Sequence, residues 1–200
     1  MFGIGMPELL IILVIILIIS SCGCQQPVSE TEFNAEISVY QAVIEGLFLN
    51  REQPGLLVIR TPTSTRPMTE DDLGQMVGYI KEQLGEVIDQ ATLNDFKAKN
   101  KQPQPLDGQL RLGVPVAYIS DAEMTAIFQP GNGWEQFYEI YPDSTGVITL
   151  SRVGFNRDMS QAIVCIGLSG GSMAGVGYYI FLTWDGSAWQ IQERLMAWIV

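Results

Sequence analysis

The chain has 200 residues, 22 Asp and Glu against 11 Lys and Arg, and no histidine, for a net charge of −11. That balance repels a phosphate backbone and argues against nucleic acid as a partner. Without imidazole there is no Ser-His-Asp or Cys-His catalysis and no His-ligated zinc, and no cofactor is expected.

Leu9 to Ile19 holds only Leu, Ile and Val, preceded by Pro7 and Glu8. The run matches a signal-peptide core and is shorter than the roughly 20 residues of a comfortable span. It closes on Ile19-Ser20-Ser21-Cys22, which resembles the bacterial lipobox, so Cys22 is the expected lipidation site. An uncleaved span and simple secretion are the alternatives. No Lys or Arg precedes Arg51, whereas signal peptides carry one before the core. Met1 to Ile19, with Gly5-Met6-Pro7-Glu8 ahead of the Ile/Leu run, also resembles the opening of the small A/E-type subunit of the twin-arginine translocase. That family continues into a Phe-Gly hinge and a basic amphipathic helix. Here Ser20 to Gln26 and an acidic segment follow, so the resemblance implies a membrane-entering segment and no more. Residues 1–24 are read as the membrane anchor, 25–31 as a tether and 32–200 as one domain outside the cytoplasm.

The spacing of Phe33, Ile37, Tyr40, Val43 or Ile44 and Leu47 predicts a helix over 32–49. Leu56 to Arg60 reads as a buried strand, and Thr61 to Pro67 as a loop. Thr69 with Glu70-Asp71-Asp72 opens a helix to about Asp89. A short helix over 92–96 and a polar loop from Lys97 to Gly108 follow. Val114 to Ile119 reads as a strand. Ser120-Asp121-Ala122-Glu123 is a capping box for a helix to Phe128, and Gly131 to Tyr141 gives another. Residues 146–155, 161–168, 175–184 and 189–199 are strands divided by turn signals, an antiparallel meander. Ala162 to Ile166 is apolar throughout, so this central strand is expected to be covered on both faces. Cys165 within it is read as a small buried residue. The fold class is α+β, helices on a C-terminal meander.

Phe137-Tyr138-Glu139-Ile140-Tyr141-Pro142, Ser151 to Asn156, Gln161 to Val164, Gly177-Tyr178-Tyr179 and Trp189-Gln190-Ile191 resemble a group of bacterial secreted proteins of unassigned activity. The resemblance implies an exported α+β domain and brings no catalytic residues. The helix-then-sheet order is similar to nuclear-transport-factor-2-like and cystatin-like folds, by fold analogy only.

Gly167 to Gly177 lacks the Gly-Lys-Ser/Thr ending of a phosphate loop and reads as a wide hairpin turn with close backbone packing. Glu70-Asp71-Asp72 reads as first-turn acids, not a cation site. Glu135 and Glu139, one helical turn apart beside aromatics, are the residues a carboxylate-dependent hydrolase would use; two solvated glutamates explain them equally well. Aromatic residues crowd the second half. Trp134, Tyr138, Tyr178, Trp184 and Trp189 are the candidate ligand-binding residues, with core packing as the competing account. The expectation is a membrane-anchored envelope lipoprotein that binds a protein or small ligand. The alternatives are an envelope hydrolase and a translocase-associated component.

Overall fold

The computed structural model describes residues 30–49, 54–63, 70–106, 108, 110–130 and 133–200. The expected anchor, with Cys22 and Cys24, lies outside them, as do Thr69 and most of the expected tether. Residues 34–200 form one compact unit.

The described chain is α+β, with five α-helices and a mixed sheet of seven strands. Helix α1 spans Glu30–Ile44, beginning inside the expected tether, and runs on into a π-helical turn, Glu45–Leu49. Its stripe of Ile37, Tyr40, Val43 and Ile44 is buried. Strand β1 (Leu56–Thr61) follows, then α2 (Glu70–Leu84). Gly85, at φ +57°, takes the left-handed conformation that stops α2, and a 3₁₀ turn, Gly85–Val87, replaces its expected last residues. Helix α3 (Gln90–Lys99) starts at Asp89, whose carboxylate accepts the Ala91 N–H at 2.9 Å. It is longer than the expected 92–96 and takes the first residues of the expected polar loop. Strand β2 (Val116–Ser120) feeds α4 (Asp121–Ile127) through the capping box of Ser120 and Glu123. Helix α5 is Trp134–Ile140.

The remaining strands are β3 (Ser144–Leu150), β4 (Gly154–Phe155), β5 (Gln161–Gly171), β6 (Ala174–Trp184) and β7 (Trp189–Ile199). The sheet order is β2-β1-β3-β5-β6-β7, with β4 on β5. From β3 onward every pairing is antiparallel, as the turn signals require. The meander is not the whole sheet, however. Strand β1 enters beside β3 and is parallel to both β2 and β3. The expected strand 146–155 is broken at Ser151–Val153. The expected wide turn is tight: Gly171 pairs with Ala174, leaving Ser172 and Met173 between.

Alternation along the paired strands sorts the core into two faces. On one, Leu73, Met76, Ile80, Leu93 and Phe96 of α2 and α3 pack on Ile163 and Phe181. On the same face, Ile127 of α4 and Phe137 of α5 pack on Val58, Ile119 and Val147. The opposite face carries Ile59, Ile148, Leu150, Val164, Ile166, Ile180 and Leu182, all buried. Helix α1 crosses this face: Trp189 Nε1 donates to Ser38 Oγ at 3.1 Å, and Gly46 lies against Ile191. The central strand is thus covered on both sides, the second cover being the N-terminal helix. Each large apolar side chain so buried contributes roughly 1.5–3 kcal/mol.

Candidate functional site

The candidate aromatic residues do not line one site. Trp134 and Tyr138 sit one turn apart on α5, ring centroids 6.0 Å apart, in a cluster with Phe128, Phe137 and Tyr141. This cluster is packed on the sheet, and the Tyr138 hydroxyl donates to the Gly170 carbonyl at 2.8 Å. Trp184 and Trp189 pair across the β6–β7 turn, 5.5 Å apart, at the other end of β5. Trp189 continues the stack onto Phe155 at 5.7 Å, and Lys99 Nζ lies 4.9 Å above the Phe155 ring. Trp184 is the exposed member. Tyr178 stands apart from both pairs, between Ile166 and Met196 on the face that α1 crosses. Two pairs serve two ends of the core, so packing explains most of the aromatic content.

Glu135 and Glu139 both lie on the exposed side of α5, away from Phe137. Lys81 donates to the Gly85 carbonyl at 2.7 Å, and Lys99 pairs with Asp95 at 2.7 Å. Among the described residues no cluster of three or more Cys, Asp or Glu could hold a metal ion.

Sequence reasoning missed the most organised polar group. Glu36 of α1 is buried, with Arg152 Nη2 2.6 Å from its Oε1. Its other oxygen accepts the Tyr40 hydroxyl at 3.0 Å and the Val153 N–H at 3.3 Å. The Tyr40 hydroxyl also reaches the Ser151 carbonyl at 2.9 Å. Burial, and after it the Glu36 carboxylate, raises the Tyr40 phenol well above its ordinary value. Asn100, at the end of α3, clamps the Arg152 backbone: its amide donates to the Arg152 carbonyl at 3.0 Å and its oxygen accepts the Arg152 N–H at 2.9 Å. Ser151 Oγ accepts the Cys165 N–H at 2.8 Å. These bonds hold Ser151–Val153 off the regular ladder and tie α1, α3 and β5 together. No motif announces them. An arginine inside an otherwise apolar strand region was the one available signal. Cys165, expected to be buried, is only half-buried on β5; desolvation pushes its thiol up to about 12, which keeps it protonated and a poor nucleophile at neutral pH.

Comparison with known proteins finds no matching family model, curated protein or solved structure. Among the described residues no helix is long and apolar enough to cross a membrane.

The feature that packing does not explain is the outer edge of the sheet. Strand β7 has β6 on one side and, among the described residues, no strand on the other. Its first half, Gln190 to Arg194, is exposed apart from Ile191 and is polar or charged, the usual defence of an edge. Its second half is uncharged, yet Met196 is 51% exposed, Trp198 37% and Ile199 67%. Trp198 lies across Gly167, Gly175 and Gly177, where a Cβ at any of the three would strike its indole. The glycines of the expected close-packed turn therefore seat this ring on the sheet, leaving its outer side open.

Proposed function

We propose that this is a binding protein of the bacterial cell envelope, held at a membrane by residues 1–24 and lipidated at Cys22, with residues 32–200 outside the cytoplasm. The observation that supports binding over catalysis is the β7 edge, where uncharged, exposed side chains lie along a strand that, among the described residues, has no strand on its outer side and whose Met196 carbonyl is met only by the Tyr79 hydroxyl. Such an edge receives an extended protein segment. The titratable groups favour this reading as well: Glu135 and Glu139 are solvated, and Glu36 is committed to Arg152 and Tyr40. Likeness to nuclear-transport-factor-2-like or cystatin-like folds would lie in the antiparallel half, β3 to β7 with α1 across it, and carries no activity with it.

The test is the intact mass and membrane fractionation of the full chain beside Cys22→Ala. A mature wild-type mass starting at Cys22 with added acyl chains, lost in the variant along with membrane retention, is the expected result. A full-length wild-type chain recovered in the soluble fraction would overturn the proposal. Co-purification of twin-arginine translocase subunits would replace it with the translocase reading.

A further inference from the structure

We propose that the uncharged end of β7, Leu195 to Ile199, with Val200 after it, is the edge at which two copies of this chain join into one continuous sheet. The inference rests on the docking edge of the preceding reading and not on its membrane anchor.

The argument begins with a contrast inside one strand. Natural sheet edges are guarded by charges and bulges. In β7 the charges, Glu193 and Arg194, stop before Leu195. From there to Val200 the side chains are Leu, Met, Ala, Trp, Ile and Val. Residues 161–184, which form β5 and β6 beside this edge, contain no charged residue either. A chain of net charge −11 thus carries no charged side chain along this end of its sheet, where like charges would oppose a second copy.

The register then selects the occupant. The ladder between β6 and β7 shifts between Gly177 and Tyr178, so that Ala197 is the extra residue on β7. That bulge brings Met196 and Ile199 onto the same face, for they pair with Tyr178 and Val176, two residues apart on β6. Leu195 and Val200 fall together on the other face: Leu195 pairs with Tyr179, and Val200 exchanges both backbone hydrogen bonds with Gly175 and lies on its side-chain position. Cross-strand neighbours must share a face. An antiparallel pair of β7 strands about a two-fold axis near Ala197 and Trp198 meets this condition twice. It sets Met196 of one copy opposite Ile199 of the other, and Leu195 opposite Val200. Every pair is apolar, and the same patch serves both copies, as an isologous contact requires. Tyr79 of α2, whose hydroxyl donates to the Met196 carbonyl at 3.2 Å, borders the joint. The axis runs perpendicular to the sheet, so α1 of both copies lies on the same side.

The experiment is sedimentation equilibrium of the full chain in detergent under reducing conditions. Wild type is compared with Met196→Lys, with the Met196→Lys/Ile199→Lys pair and with a chain lacking residues 1–24. Wild type is expected to hold two copies. Met196→Lys should weaken association at least tenfold, and the pair, which places lysines opposite one another, should abolish it. Both sites are exposed, so the variants should stay folded and melt cooperatively, lower than wild type only by what loss of the second copy removes; Met196→Lys alone serves if the pair misfolds. A wild type with one copy at the highest concentration reached overturns the inference. So does a two-copy species that survives both lysine variants. Association lost only on removing residues 1–24 assigns it to the anchor, which overturns the inference and leaves the proposed function standing.

Discussion

Arg152 Nη2 stands 2.6 Å from Glu36 Oε1, joining a helix near the start of the domain to the break between β3 and β4. Glu36 is 2% exposed, so Arg152, Tyr40 and the Val153 N–H take the place of water around its carboxylate. Arg152→Ala strands it and is expected to cost about 3–5 kcal/mol. In a chain of this size that lowers the melting temperature by roughly 10 °C. A Glu36→Leu/Arg152→Met pair restores most of the loss, because an apolar pair needs no buried charge compensated. Urea melts of the wild type, Arg152→Ala and the double variant check this. An Arg152→Ala cost below about 1 kcal/mol would sink the account.

Two glycines separate backbone crowding from backbone freedom. The position a Gly154 Cβ would take is filled by the main chain and Cβ of Phe96 in α3. Gly154→Ala must part α3 from β4 and is expected to cost at least 1–3 kcal/mol. Gly74 has open space around its Cβ position in exposed α2. Gly74→Ala is expected to stabilise by about 0.5–1 kcal/mol. Opposite shifts of the denaturation midpoint are the readout, and equal shifts would refute it.

The Cys165 thiol, held near 12 by burial, stays protonated in the folded chain while an unfolded thiol ionises from about pH 9. The unfolded state therefore binds fewer protons between those values, and stability falls as pH rises through that window, by up to about 1.4 kcal/mol per unit from this group. The raised phenols of Tyr40 and Tyr179 act in the same direction. Half-buried and protonated, Cys165 should react with thiol reagents at pH 8 far more slowly in the native protein than in urea. Equal rates in the two states would contradict the raised thiol.

Asp185 closes the β6–β7 turn. Its carboxylate accepts the Ala188 N–H at 2.9 Å and the Ser187 N–H and hydroxyl at 2.8 Å, with Gln190 on its second oxygen at 2.8 Å. The Ala188 N–H first, then the Ser187 groups, depress its pKa to about 2. A depressed carboxylate contributes stability above its unfolded value and loses it as pH falls through the folded one. The turn should therefore hold until about pH 2, with a carboxyl carbon titration midpoint there and loosening of the Trp184–Trp189 pair below it. An ordinary midpoint near 3.8 would show that the turn does not hold the carboxylate.

Local signals located most of the elements. The Ser120–Glu123 capping box, the Asp185-Gly186-Ser187 turn and the apolar run of β5 each act through near neighbours, and each forms where its residues stand. What escaped the sequence depends on distant partners. Apart from Arg152 itself, no residue around Ser151–Val153 announces a broken strand, because the groups that turn it aside, Asn100 and Glu36, come from other elements. The parallel placement of β1 is hidden for the same reason, since parallel neighbours leave no turn to read. Of the candidate site, the pairing of Trp184 with Trp189 was legible from their spacing. The separation of Tyr178 from Trp134 and Tyr138 follows from which face each strand presents, and that was set by the register of the whole sheet.

The position of β1 also sets the order in which the sheet can be assembled. Strands β5, β6 and β7 follow one another through short turns, so their ladder is built from nearby chain and can form quickly. Strand β1 pairs with Val116 to Ser120 on one side and with Ser144 to Ile148 on the other, both far along the chain. A chain emerging from its N-terminus must carry Leu56 to Ile59 with both backbone edges bare until those later segments arrive. That wait, and not the C-terminal meander, is the slow step expected in folding and the point at which a holding chaperone is most useful.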